Sequence, residues 1–219
     1  MCVWSKYLHR VVAMVAVTVA ANSARANITS GSWIMDQSNK FADGVAYGQV
    51  DIEANDVAGT VEFTVDAFDV QPTYGTLSNF GLQAFGFNFD NLTSTPSGWT
   101  IALPTGWSQD NNGGNMIGFG SFEVKEVGTG STRQDPLVFT ITLPTAGEAI
   151  ASNFAVNGAG GVQGTFFFAA HVAGFGNKPG SHYIGGSSES DTNHTPVPGA
   201  AVLAAIGLGI AGFINRRRS

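Results

Sequence analysis

In Val61-Glu62-Phe63-Thr64-Val65-Asp66 and in Leu137-Val138-Phe139-Thr140-Ile141-Thr142-Leu143 every second residue is apolar. A period of two sends successive side chains to opposite sides of an extended backbone, so each stretch reads as a strand with one buried face. Val61, Phe63 and Val65 share one face, with Glu62, Thr64 and Asp66 on the other. Leu137, Phe139, Ile141 and Leu143 likewise oppose Val138, Thr140 and Thr142. Phe166-Phe167-Phe168-Ala169-Ala170-His171-Val172 is apolar on both faces, which predicts a central or covered strand. Residues 80–89 change phase. Phe80, Leu82 and Ala84 occupy even positions, then Phe85, Phe87 and Phe89 odd ones. A bulge near Ala84-Phe85-Gly86, or burial of both faces, reconciles the two sets.

Weaker strand signals cover residues 32–36, 45–53, 99–103, 115–124 and 150–156. Turn residues cluster at 110–114, 128–131 and 158–161. No long stretch carries a helical period. Pro104, Pro136 and Pro144 fall at predicted strand ends, where a missing N–H does no harm. Nine or ten short strands in residues 27–185 predict an all-β fold, an antiparallel two-sheet β-sandwich of jelly-roll or cohesin-like type.

The chain has 219 residues, 43% hydrophobic and 12% charged, with 16 Phe to supply a core. The charge is unevenly placed. Residues 27–195 hold all sixteen acidic residues against Lys40, Lys125, Arg133 and Lys178, a net charge of −12. Such a domain repels nucleic acid and anionic lipid, so no nucleic-acid partner is expected.

The two ends read as targeting segments. Lys6 and Arg10 precede an apolar run over residues 11–21, and Ala24-Arg25-Ala26 follows. As a helix, that run spans only about 16 Å, short of the roughly 30 Å hydrocarbon core. A positive start, a short apolar run and small residues at Ala24 and Ala26 predict a signal peptide over residues 1–26, cut before Asn27. The single cysteine, Cys2, leaves with it, so the exported chain carries no thiol and no disulfide. A Cys nucleophile and a Cys-ligated zinc site are thereby excluded.

At the other end, residues 197–214, from Val197 through Ile206 to Ile214, form 18 positions without a charge. That is about 27 Å of helix, enough to cross a thin bilayer. Arg216, Arg217 and Arg218 follow at once and would hold that end in the cytoplasm. Residues 186–195, rich in Gly, Ser and Thr, read as a flexible spacer before this transmembrane helix.

Pro196-Val197-Pro198-Gly199, the Gly-rich apolar span and the terminal Arg cluster, in that order over residues 196–219, resemble the PEP-CTERM sorting signal of bacterial exported proteins. The resemblance implies export through the inner membrane and recognition by an exosortase, a membrane cysteine protease-transpeptidase. It also implies delivery to the cell surface or an exopolysaccharide matrix. Val197 stands where that family carries a Glu, so the signal is a variant. A plain membrane anchor explains the same residues. The segment 166–172 with Gly185-Gly186 also looks like part of some PEP-CTERM ectodomains, which implies no activity.

Motifs for chemistry are sparse. Gly118-Phe119-Gly120-Ser121-Phe122 and Gly128-Thr129-Gly130-Ser131-Thr132 do not have the nucleophile-elbow order. Gly158-Ala159-Gly160-Gly161-Val162-Gln163-Gly164 lacks the surrounding βαβ unit of a dinucleotide loop and reads as a turn before a strand. No cofactor is expected. Calcium is the one ion with suitable oxygen donors, at Asp51, Glu53, Asp56 and Asp110, though none has EF-hand spacing. His171 and His182 lack zinc spacing, and a structural His171 facing a polar patch is expected. Trp99 and Trp107, if exposed, are the residues that would stack on sugar rings; packing at the domain edge is the other reading. The expectation is therefore a non-enzymatic, surface-tethered protein of the envelope or matrix. A carbohydrate-binding module, with or without calcium, is the alternative, and a secreted hydrolase on the same scaffold the third reading.

Overall fold

Alternation becomes strand pairing wherever two such stretches meet in register. In the computed structural model, which describes residues 26–68, 76–110, 113–175 and 180–187, the chain is all-β with antiparallel sheets. Strands run in chain order as β1 (Ile28–Met35), β2 (Gln37–Ser38), β3 (Gly48–Asn55), β4 (Thr60–Ala67), β5 (Thr76–Phe87), β6 (Thr100–Ala102) and β7 (Ser108–Asp110). They continue as β8 (Gly114–Met116), β9 (Gly120–Phe122), β10 (Val124–Val127), β11 (Leu137–Thr142), β12 (Phe166–Phe175) and β13 (Ser181–Ser187). The first sheet has the order β1-β3-β4-β11-β6, the second β2-β13-β12-β5-β10-β7, and β8-β9 form a separate hairpin.

The two deciding stretches are neighbours. On β4 and β11, Val61 faces Ile141, Phe63 faces Phe139 and Val65 faces Leu137, all fully buried or nearly so. The Phe63 and Phe139 rings stack at 4.8 Å with 5° between planes. Phe63 also meets Phe87 at 4.9 Å and Phe85 at 6.1 Å, both from β5 of the second sheet. These contacts join the sheets across one core, to which Phe154 and Phe168 also belong. Burying each such ring contributes roughly 1.5–3 kcal/mol.

The phase change in β5 is a bulge. His171 of β12 pairs with Ala84 but the next residue, Val172, pairs with Leu82, so Gln83 is the extra residue. Leu82, Phe85 and Phe87 then all enter the core while Ala84 turns outward. The bulge lies just before the expected Ala84-Phe85-Gly86.

Three sequence expectations are corrected. Residues 150–156 do not form a strand. Ala151–Phe154 is a 3-10 turn, with the Asn153 amide bonded to Ile150 O at 3.0 Å and the Asn153 side chain to Glu148 O at 3.0 Å. Local backbone bonds satisfy this segment without a neighbouring strand. Residues 115–124 are not one strand but the β8-β9 hairpin and the start of β10. Gly118 and Gly120 break them, Gly120 at φ 92° where a Cβ would run into the Gly160 carbonyl. Finally, β13 reaches Ser187 and Gly186 pairs with Phe168, so the domain includes the first positions of the expected spacer. The rest of the expected spacer, the expected sorting motif, span and arginines over 196–219, and all of the expected signal peptide over 1–26 except Ala26 lie outside the described residues; among the described ones no helix is long and apolar enough to cross a membrane.

The β8-β9 hairpin folds over the outer face of the second sheet. Met116, Phe119 and Phe122 form a second small core there with Ala84, Phe166 and Ala169. Small residues make the socket. A Cβ at Gly86 would lie 3.0 Å from the Phe122 ring, and one at Gly185 would run into the Phe119 ring. Gly185→Ala is therefore expected to cost about 1–3 kcal/mol by overpacking. Urea melts would read the loss, and faster exchange of the β8-β9 amides would place it; unchanged exchange would mean the hairpin is held by something other than Phe119.

Candidate functional site

Trp99 and Trp107 are packed into the domain. Each is only 8% exposed. Trp99 follows a 3-10 turn, packs edge-on to Phe89 at 4.8 Å and donates its indole N–H to Ser94 Oγ at 2.9 Å. Trp107 donates to Thr132 O at 2.7 Å. Both rings belong to the main core, and their polar edges are satisfied at its rim.

Of the calcium candidates only Asp51 and Glu53 lie side by side. Asp51 and Glu53 lie on the outer face of the first sheet. Asp56 sits in the turn after β3 and accepts from the Asn27 N–H at 2.8 Å. Asp110 ends β7, in the other sheet. Among the described residues no group of three or more His, Cys, Asp or Glu is arranged to hold a metal ion. Both Asp51 oxygens take the Gln49 side-chain amide, at 2.9 and 2.8 Å.

What the first sheet does collect is negative charge. Its register sets Ser32, Asp51, Thr64 and Val138 in one row and Ser30, Glu53, Glu62 and Thr140 in the next. Asp66 lies one row further, opposite Gln49. A shallow groove of about 320 Å³ runs over Ser30, Ser32, Asp51, Glu53 and Glu62. Glu53 and Glu62 face each other directly, an arrangement that costs stability when no cation relieves it.

The second sheet mixes charge, with Asp110 opposite Lys125. On its outer face His171 stacks on Tyr183 at 4.5 Å with 18° between planes, as cross-strand partners. Partial burial lowers the His171 pKa, and the charges of Arg133, Lys125 and Lys40 lower it further. Lys125 projects from β10 with Asp110 opposite it on β7. Arg133 donates to Asn79 O at 3.0 Å. Lys40 follows Asn39, whose side-chain oxygen accepts the Tyr183 N–H at 2.9 Å. The polar surroundings of His171 thus include three cations, which its sequence context did not reveal.

His182, one residue from Tyr183, points to the opposite side. It lies edge-on to Phe41 at 4.4 Å and to Tyr47 at 6.0 Å. Burial foremost, then the charges of His171 and Lys40, push its pKa down to about 3.

A second cleft, of about 410 Å³, holds Asp90 and Glu123 beside Asn88 and Ser121. Glu123 accepts the Phe89 N–H at 3.1 Å, and Asp90 accepts the Asn91 N–H at 2.7 Å. Both carboxylates serve the backbone. Glu126 on β10 has the protonation a general acid needs, since burial pushes its pKa up to about 8. It is fully buried, however, and cannot reach a substrate.

The chain matches no family model, no curated protein and no solved structure.

Proposed function

We propose that this chain is an exported, surface-tethered, non-enzymatic β-sandwich protein with a structural or adhesive role in the cell envelope or exopolysaccharide matrix. An exosortase-type system would sort it by its C-terminal tail. The observation that carries the reading is the ordered pair of ends: Ala24-Arg25-Ala26 after a short apolar run, and Pro196-Val197-Pro198-Gly199 before an uncharged span and three arginines. Between them lies a two-sheet domain whose aromatic residues are spent on its core. That economy supports a scaffold. Trp99 and Trp107, largely buried, lend no open ring face to the sugar-binding alternative.

The deciding measurement is the intact mass and cell fraction of the mature protein from its native host, with protease shaving of intact cells. A mass starting at Asn27 and ending near Pro198, outside the inner membrane, is the expected result. A mass running to Ser219 in the inner membrane would reduce the tail to an ordinary anchor and remove the exosortase from the reading. Deleting residues 196–219 is expected to release a folded domain to periplasm or medium; aggregation instead would make the tail part of the core.

A further inference from the structure

The four strands that end the two large sheets are not alike. β2, β6 and β7 hold two, three and three residues, too few to template a neighbour. β1 holds eight, pairs with β3 through an unbroken register, and has neither charge nor proline in Ile28-Thr29-Ser30-Gly31-Ser32-Trp33-Ile34-Met35. Short length, bulges, charges and proline are the means by which sheets block an exposed edge, and β1 uses none of them.

Parity shows which backbone groups are open. The Asp56 N–H donates to Asn27 O at 3.4 Å, which makes these two a hydrogen-bonded pair at the end of the β1-β3 ladder. Such pairs alternate along an antiparallel ladder, so Thr29, Gly31 and Trp33 bond to β3. Ile28, Ser30, Ser32 and Ile34 turn N–H and C=O to the other side. β13 covers the last of them, since a Cβ at Gly186 would lie 3.0 Å from Ile34 O. The open stretch is therefore residues 28–32, and its outward backbone groups have no partner among the described residues. Ile28 is 58% exposed, and Ser30 is exposed too.

We propose that β1 pairs with β1 of a second copy of this chain, antiparallel about a two-fold axis at Ser30. Ser30 is the midpoint of residues 28–32 and belongs to the open parity, as such an axis requires. Ser30 then faces Ser30 of the second copy, and Ile28 faces Ser32 on either side, with two backbone hydrogen bonds per facing pair. The open stretches match end to end, and neither copy has to displace β13. The two five-stranded sheets become one. Charge permits the contact. Glu53 of each copy, next to Ser30 in the shared row, stands three strand spacings from the other, about 14 Å. That exceeds the Debye length of about 8 Å near 0.15 M salt. The contact is narrow, so the dimer is weak and reversible.

Sedimentation velocity of the purified full-length chain in nonionic detergent, over a concentration series, tests it. A monomer–dimer equilibrium is expected near about 0.15 M salt. It should weaken near about 0.01 M, where a Debye length of about 30 Å lets the net charge of −12 on residues 27–195 repel. Ser30→Pro and, separately, Ser32→Pro remove an N–H that the isolated domain leaves open. Each should keep the fold and weaken the dimer at least about tenfold. Cross-linking in a Cys2→Ser background, which leaves no other thiol, reads the register. With a short bismaleimide Ser30→Cys should link to itself, because the two α-carbons lie about 5.5 Å apart. Ser32→Cys should not, its α-carbons being about 14 Å apart, but mixed with Ile28→Cys it should link. Amide exchange needs no variant. Ser30 and Ser32 should slow as protein concentration rises, whereas Gly31 and Trp33 should be slow throughout. A wild type that stays monomeric up to about 1 mM, folded proline variants that dimerise as the wild type does, or Ser32→Cys linking to itself as readily as Ser30→Cys would each overturn the proposal. So would Ser30 and Ser32 amides protected in the monomer, which would place another segment of the same chain on this edge. Since the assay uses purified protein, its result is independent of how the chain is exported or sorted.

Discussion

Replacing Phe63 with alanine is expected to remove about 3–5 kcal/mol of folding stability, much of what a domain of this size holds. Phe63 is fully buried. Its ring contacts Phe139 within the first sheet and Phe85 and Phe87 of the second, and it lies edge-on to Phe154 at 5.8 Å. No single neighbour can collapse into the space, because each ring is fixed by the others. The loss therefore combines the transfer free energy with a residual cavity. Urea unfolding of wild type, Phe63→Leu and Phe63→Ala gives the test. The leucine variant should lose far less. A loss under about 1 kcal/mol for alanine would mean that the sheets are not joined through this ring.

Glu126→Gln is expected to stabilise the protein above neutral pH, by a few kcal/mol at pH 8 to 9, and to do little near pH 4.5. Glu126 is completely buried, and among the described residues neither carboxyl oxygen has a hydrogen-bond partner. Its cross-strand neighbour Gln109 has a buried side-chain nitrogen in the same condition. Burial raises the Glu126 pKa from 4.5 to about 8. The folded state thus holds a proton that the unfolded chain releases above pH 4.5. Stability is full below that value and falls as pH rises towards 8. At about 1.4 kcal/mol per pH unit the complete shift corresponds to on the order of 5 kcal/mol. Glutamine has the shape of the protonated acid and no charge to bury, so it removes the alkaline slope.

His182 acts with the opposite sign. Its pKa falls from 6.5 to about 3, so its contribution is complete above 6.5 and is lost as pH falls towards 3. Between 4.5 and 6.5 the two slopes cancel. Melts across pH 3 to 9 should show a plateau in that window with a fall on either side. In Glu126→Gln the alkaline fall should vanish and the acid fall remain. An unchanged alkaline limb would place its origin elsewhere than Glu126.

Much of this was legible in the linear chain. The period of two at residues 61–66 and 137–143 marked the residues that became the facing rows of β4 and β11. The double apolar face of residues 166–172 announced a central strand, and β12 lies between β13 and β5 under the β8-β9 hairpin. The phase change in residues 80–89 left a bulge or two buried faces open, and β5 has both. Side-chain parity is a local property of extended backbone, so it survives in the sequence.

Less of the surface was legible. Tryptophan has the same composition signal whether it stacks on a ligand or seals a core, and only burial assigned Trp99 and Trp107 to the second role. Glu126 follows Val124 at the inward parity of β10, which could have flagged it, but two residues of alternation are a short warning.

The sequence by itself determined the strand character and the acidic balance, because each depends on neighbours along the chain. Only the tertiary structure decided which faces those charges occupy. Asp51, Glu53, Glu62 and Asp66 become one surface through antiparallel register between β3 and β4. Lys40, Lys125 and Arg133 all act electrostatically on His171 although nearly a hundred positions separate the first from the last. The physical reason is that sheet register brings distant segments within about 5 Å while leaving no trace in local composition.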